Sequence, residues 1–139
     1  MNPTSDELRT LLQQVGTIAV IGAKDTPGHP VDGVGRYLMG RGISIIPVHP
    51  VRTCVWGLKT YESVRDIPQK VDLVNVFRAS QYCSNHAREV LAMKYKPMIF
   101  WMQLGIHSVE ASQILESQGV CVVQDICLKV EYNNFFPCV

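Results

Sequence analysis

Lys24, His29, His49, Phe77 and Arg78 are the side chains of this sequence whose types and positions could do chemistry. Each stands in a turn that closely follows a short apolar run. An aromatic face beside a guanidinium, with a lysine in a Gly- and Pro-rich loop, suits a ligand that carries both a flat base and phosphates. Acid–base catalysis is served less well. His29 and His49 each precede a proline, which favours extended backbone, and no carboxylate or nucleophile accompanies them as a partner. The sequence also lacks a nucleophile elbow, a Walker loop, an H-E-x-x-H helix and a close carboxylate pair with an obvious role.

These residues must be positioned by alternating strands and helices. Thr17-Ile-Ala-Val-Ile21 is a β-branched run that reads as a buried parallel strand. Gly22 follows at once, and Ala23 to Pro30 is too rich in Gly and Pro for a regular element. Helical periodicity starting near Gly33 carries Val34, Tyr37 and Leu38 to Gly40, and a second strand over Ile43–Pro47 completes a βαβ unit. A nicotinamide or flavin site would place G-x-G-x-x-G in the first turn and an acid about 20 residues later for the ribose. Here the loop is longer, the fingerprint is absent, and the second strand runs into Val48-His49-Pro50. The architecture is that of a dinucleotide binder without the usual means of holding NAD.

The remaining chain continues the alternation. Thr4 or Ser5 can cap a first helix bearing Leu8, Leu11, Leu12 and Val15, with Gly16 as its left-handed stop. Val51 to Tyr61 reads as irregular, and a short helix around Ser63–Asp66 closes at Pro68. Strands are predicted over Val71–Val76, Pro97–Trp101 and Val120–Val123, with Trp101 and Met102 in the core. Helices are predicted over Gln81–Lys94, after Ser108 and within the tail from Asp125 to Tyr132, with Gly119 ending the second of them. This order requires an α/β fold, an open parallel sheet of about five strands with helices on both faces. Ligands bind such sheets at the carboxyl ends of the strands, so Gly22–Pro30, Val48–Pro50, Phe77-Arg78 and Gln103–Gly105 should converge on one crevice.

The bulk properties set limits. No linker or repeat divides the 139 residues, which read as one domain, residues 1–139. A net charge of +1 and the lack of a Lys/Arg cluster argue against nucleic acid. No apolar run is long enough to span a bilayer, and the N-terminus does not read as a signal peptide. The five cysteines form no C-x-x-C pair and, with the four histidines, no set of four ligands at tight local spacing, so neither a zinc site nor a disulfide framework is expected. Reduced thiols in a cytoplasmic protein fit this usage, with Cys121 inside an apolar strand and Cys138 exposed.

Taken in order, these segments resemble the small single-domain CoA-binding proteins of bacteria, relatives of the nucleotide-binding domain of the succinyl-CoA synthetase α subunit. The matching stretches are Ile18–Gly22, Pro27–Gly33, Tyr37-Leu38, Ile45–Pro50, Gly57, Tyr61, Asp66–Pro68, Val71–Arg78, Trp101–Gly105 and Asp125–Glu131. The resemblance implies a Rossmann-like sheet and coenzyme A as bound ligand. It implies contacts from Gly22, Ala23, Lys24, Pro30, Gly33, Val34, Val48, His49, Pro50, Phe77, Arg78, Gln103, Leu104 and Gly105. Phe77 would pack on adenine, Arg78 or Lys24 would meet the ribose 3′-phosphate, and amides near Gly33 would meet the pyrophosphate. The family often has Arg-Pro-Ser-Tyr where this chain has His29-Pro-Val-Asp32, and Val-Asn-Pro where it has Val48-His49-Pro50. Asp32 is read as the cap of the first crossover helix, a negative charge placed where a pyrophosphate belongs. The synthetases' phosphohistidine lies in a second domain that these residues do not include. The implied function is non-catalytic binding of CoA or an acyl-CoA, as a sensor or carrier, in a monomer or weak homo-oligomer. The alternatives are an enzyme acting on an acyl-CoA or another adenine nucleotide, and a ligand-regulated interaction module.

Overall fold

Five parallel strands form the sheet in the order β2-β1-β5-β6-β7 in a computed structural model that describes residues 2–138. They are β1 (Thr17–Ile21), β2 (Ser44–Val48), β5 (Leu73–Val76), β6 (Ile99–Met102) and β7 (Cys121–Val123). Every one is buried on both faces because alternate residues enter two separate apolar layers. Ile18, Val20, Leu73, Ile99 and Trp101 pack with Leu12, Leu38 and Leu128, from α1 (Ser5–Leu12), α2 (Pro30–Gly40) and α5 (Leu128–Phe135). Ala19, Ile21, Val76, Phe100 and Met102 pack with Ala87, Val90 and Leu115, from α3 (Cys83–Leu91) and α4 (Val109–Glu116). Helices therefore cover both faces, and Trp101 and Met102 are fully buried as expected.

Local signals hold at several ends. Thr4 makes a capping box with Glu7, Ser108 caps α4 through the Ala111 amide, and Gly119 ends that helix with a φ of 82°. Three expectations change. Gly16 is not a left-handed stop: its amide and that of Thr17 donate to the Asp72 carboxylate, which ties the start of β1 to the start of β5. α2 begins at Pro30 rather than near Gly33, since a proline costs nothing where the helix has no N–H partner to lose. The helix expected over Gln81–Lys94 is a 3-10 turn at Ser80–Tyr82 followed by α3, and its last residues make only turn bonds.

The stretch read as irregular holds a hairpin, β3 (Cys54–Val55) and β4 (Leu58–Lys59), joined by Trp56 and Gly57 at φ of 53° and 71°. That is a two-residue turn with both central residues left-handed, normally an Asn-Gly or Asp-Gly signal. Trp56 tolerates the conformation because its surroundings hold it. Its amide donates to Asp25 and its indole N–H to the Asp32 carboxylate at 2.8 Å. The hairpin leads to Tyr61, which makes one parallel bridge to Val48 on the open edge of β2. Pro47 sits on that edge strand, where a missing donor is tolerated. With Tyr61 as the stump of a third strand, the order matches the dinucleotide-binding arrangement 3-2-1-4-5-6.

Gly33 and Gly35 on α2 respond differently to a methyl group. At Gly33 an added Cβ meets nothing within 4 Å, so Gly33→Ala should raise stability by about 0.5–1 kcal/mol through helix propensity. At Gly35 it would lie 2.4 Å from the tethered Trp56 ring. Overpacking of that kind costs about 1–3 kcal/mol, so Gly35→Ala should be net destabilising. Denaturant unfolding of both variants tests this, and a stabilised Gly35→Ala would show that Trp56 is not held on the helix.

Candidate functional site

β1 and β5 lie side by side, but the chain leaves them toward opposite faces, which opens a crevice above their carboxyl ends. The ladder continues into that crevice. Val48 O accepts from the Gly22 and Ala23 amides, Ile21 O from Phe77 and Val76 O from Gln103. Gly22 has a φ of 83°, and a Cβ there would lie 2.7 Å from the Phe77 carbonyl oxygen. Only glycine lets the two strand ends approach this closely.

A cavity of about 390 Å³ opens at this point, lined by Gly22, Lys24, Pro30, His49, Phe77, Arg78, Gln103 and Leu104, together with His29, Val31 and Ile106. All four expected turns therefore contribute. Gly33 and Val34 line a second cavity of about 350 Å³ instead, and the two share Pro30, Gln103 and Leu104 as a common wall. Four residues named from the sequence line neither. Ala23 and Val48 are buried in the apolar layers, Pro50 is exposed beside the mouth, and the Gly105 amide is taken by the Asp125 carboxylate at 2.6 Å. Val31 and Ile106 carried no signal of their own, since an apolar residue at a loop edge reads as core.

The amide donors also differ from expectation. Those of Gly22 and Ala23 serve the ladder, and those of Asp32 and Gly33 both go to His29 O. Pro30 has none, and the Val31 amide at the cavity wall has no partner among the described residues. Charge comes from side chains. Lys24 and Arg78 are in no ion pair among the described residues, and the Arg78 guanidinium lies 4.7 Å over the Tyr82 ring. Burial, then the positive charges of Arg52, Lys24 and Arg78, hold the His49 imidazole below its ordinary pKa. Its Nδ1 accepts from the Val51 and Arg52 amides, so the ring is fixed and uncharged at neutral pH. Gln103 is 6% exposed, and its Oε1 accepts from Asn75 Nδ2 and the Leu128 amide. Those two donors set the amide's orientation and leave its NH₂ without a protein acceptor among the described residues. The cavity thus presents cations and donors, with no carboxylate in its lining among the described residues.

The family model described as CoA binding domain, CoA_binding_2, matches residues 16–133. The chain belongs to this family. Among relatives, the uncharacterised protein YneT of Bacillus subtilis (strain 168) is 35% identical over 131 residues, covering 94% of this chain and 96% of YneT. A Thermus thermophilus structure, cell-free ID.343, is 37% identical with a TM-score of 0.88, covering 96% of this chain and all of its own. The fold also recurs within the dinucleotide-forming acetyl-coenzyme A synthetase 1 of Ca. Korarchaeum cryptofilum, at 22% identity and a TM-score of 0.67. That match covers 86% of this chain and 27% of the synthetase. No helix among the described residues is long and apolar enough to cross a membrane.

The sequence reading of Asp32 needs correction. His29 is the N-cap, and Asp32 stands within the first turn with its carboxylate buried. It turns away from the cavity and accepts from Trp56 Nε1 and from Arg36 Nε at 2.9 Å. The Trp56 bond, and after it the Arg36 contact, keep its pKa below the usual carboxylate value against the opposing effect of burial. The charge is therefore used inside the fold.

The sign of the resulting pH dependence follows from that lowered pKa. The unfolded chain protonates Asp32 near about pH 4, before the folded chain does, so acid removes this contribution while neutral pH retains it in full. Asp32→Asn should lower the unfolding midpoint at pH 7, and its gap from the unaltered chain should close as pH falls below about 4. Unfolding curves across that range test the assignment, and a gap independent of pH would remove the charge from it.

Proposed function

We propose that the crevice between β1 and β5 binds coenzyme A or an acyl-CoA, and that the protein carries or senses this ligand without a reaction of its own. The carrying observation is the lining itself: Lys24, Arg78 and a donor amide face a cavity with no acid, at the strand-order switch of a CoA-binding-domain fold. In this reading Phe77 packs on the adenine, and Arg78 or Lys24 meets the 3′-phosphate. The Val31 amide and the start of α2 face the pyrophosphate, favoured by the helix dipole. The ionisable groups lining the cavity are Lys24, His29, His49 and Arg78, which offer neither a nucleophile nor a carboxylate partner for a histidine.

The same lining argues against NAD. A carboxylate after β2 would bind the free ribose hydroxyl of NAD and repel a ribose phosphate, and Val48-His49-Pro50 stands there instead. Calorimetric titration should show CoA binding more tightly than NAD, and the reverse order would defeat the reading. Arg78→Ala should weaken CoA by about 1.5–3 kcal/mol, as for other hydrogen bonds to charged groups. If the partner is the 3′-phosphate, the same variant should leave dephospho-CoA nearly unaffected. Equal losses for both ligands would move Arg78 to the pyrophosphate, and no loss would remove it from the site.

His49 supplies a separate readout. A polyanion beside it would cancel the field of Arg52, Lys24 and Arg78, so its lowered pKa should rise on binding. Below its ordinary pKa of about 6.5 the complex should then take up a proton fraction. Titrations in buffers of different ionisation enthalpy measure this, and His49→Asn should abolish it. Uptake unchanged by that substitution would assign the proton elsewhere.

A further inference from the structure

Cys127 lines the second cavity, beside Pro30, Gly33, Val34, Gln103, Leu104 and Lys129. Its neighbours are fastened to β6 and to the turn that follows it: Ile126 O accepts from the Trp101 indole at 2.8 Å, and the Leu128 amide donates to Gln103 Oε1. The residue precedes α5 as its N-cap, yet its thiol makes no capping bond. It is thus a half-buried thiol, held in place and without a hydrogen-bond partner among the described residues. A second feature marks the cavity as a ligand space. Gln103, 94% buried, borders both this cavity and the first, and its NH₂ group has no protein acceptor among the described residues. Pro30, Val34 and Leu104 make the rest of the wall largely apolar, which suits a flexible amide-bearing chain better than a second phosphate.

The two cavities share the wall of Pro30, Gln103 and Leu104. On the proposed reading, the nucleotide fills the first and the thiol-ended arm of the ligand must leave it. We infer that this arm enters the second cavity and that Cys127 forms a mixed disulfide with the ligand's sulfur by exchange with CoA disulfide. The Cys127 thiolate attacks one sulfur of that disulfide, a new S–S bond forms as the old one breaks, and the second CoA departs as a thiolate that takes up the proton lost by Cys127. One disulfide replaces another, so no further oxidant is required. The other cysteines differ in setting. Cys54 and Cys138 are exposed, whereas burial holds Cys121 in the thiol form and pushes the Cys83 thiol up to about 11.

This contrast defines the experiment. The full chain is incubated with CoA disulfide and, separately, with glutathione disulfide, and peptide mass spectrometry follows each cysteine. With CoA disulfide, Cys127 should be modified faster than Cys54 and Cys138 by on the order of tenfold or more, because bound ligand presents its sulfur at high effective concentration. With glutathione disulfide, the exposed pair should react first. Equal rates at Cys127 and the exposed pair with CoA disulfide, or one preference with both reagents, would overturn the inference. Calorimetry with reduced CoA keeps the two proposals distinguishable. The unaltered chain should bind reduced CoA, and Cys127→Ser should lose the selective modification by CoA disulfide. Binding of reduced CoA without selective modification would defeat the disulfide alone, and no binding of reduced CoA to the unaltered chain would defeat both.

Discussion

The close approach of Gly22 to the Phe77 carbonyl governs the rest of the molecule. It lets β1 and β5 stay paired to their ends before the chain leaves them toward opposite faces. A side chain at Gly22 would push the two turns apart and break the continuation of the ladder through Gly22, Ala23, Phe77 and Gln103. That continuation is the floor of the cavity. Because its amides are used up in the sheet, the donors left to the cavity are side chains and, among the described residues, unpaired backbone amides such as that of Val31.

A second set of ties fixes the wall above this floor. Asp25 accepts from the Trp56 amide and pairs with Arg52 at 3.2 Å, while Asp32 holds the Trp56 ring against Gly35. Two acids within seven residues, both in the stretch expected to receive an anion, are thereby neutralised by the hairpin and by α2. The effect is electrostatic as well as mechanical. With their charges paired, Lys24 and Arg78 set the sign of the cavity, and His49 registers that field. The cavity of a chain with a net charge of only +1 is in this way positive, through local arrangement rather than a global field.

The opposite wall depends on buried polar groups. Asn75 is fully buried in β5, with its Nδ2 donating to Trp101 O and Gln103 Oε1 and its Oδ1 unpartnered among the described residues. An unpaired buried oxygen is costly. Its neighbour Gln103 is oriented in exchange, with its donors toward the space shared by the two cavities. The turn that carries Gln103 is fastened by the Asp125 carboxylate on the Gly105 amide, which is why Asp125 accepts a φ of 59°.

The sequence by itself determined the layered α/β architecture, because β-branched runs alternating with amphipathic stretches have few other ways to bury their surface. It also determined which turns meet at one end of the sheet, since that follows from strand direction, and eight of the named residues line one cavity for this reason. Ends of elements were legible where a local cap decided them, as at Thr4, Ser108 and Gly119. Tertiary structure decided what no local rule carries. Pro30 opens α2 in a stretch that reads as loop, and Trp56 turns a hairpin without the usual Asn-Gly signal because two distant acids hold it. Asp32 looks like a cap in one dimension and proves to be a tether, as its partners are Arg36 and a tryptophan 24 residues away. Cys127 reads as an ordinary thiol in the tail, and only the packing of α5 on β6 brings it to the wall of a cavity. Periodicity is a property of neighbours along the chain, whereas the accessibility of a donor, a charge or a thiol depends on what folds back over it.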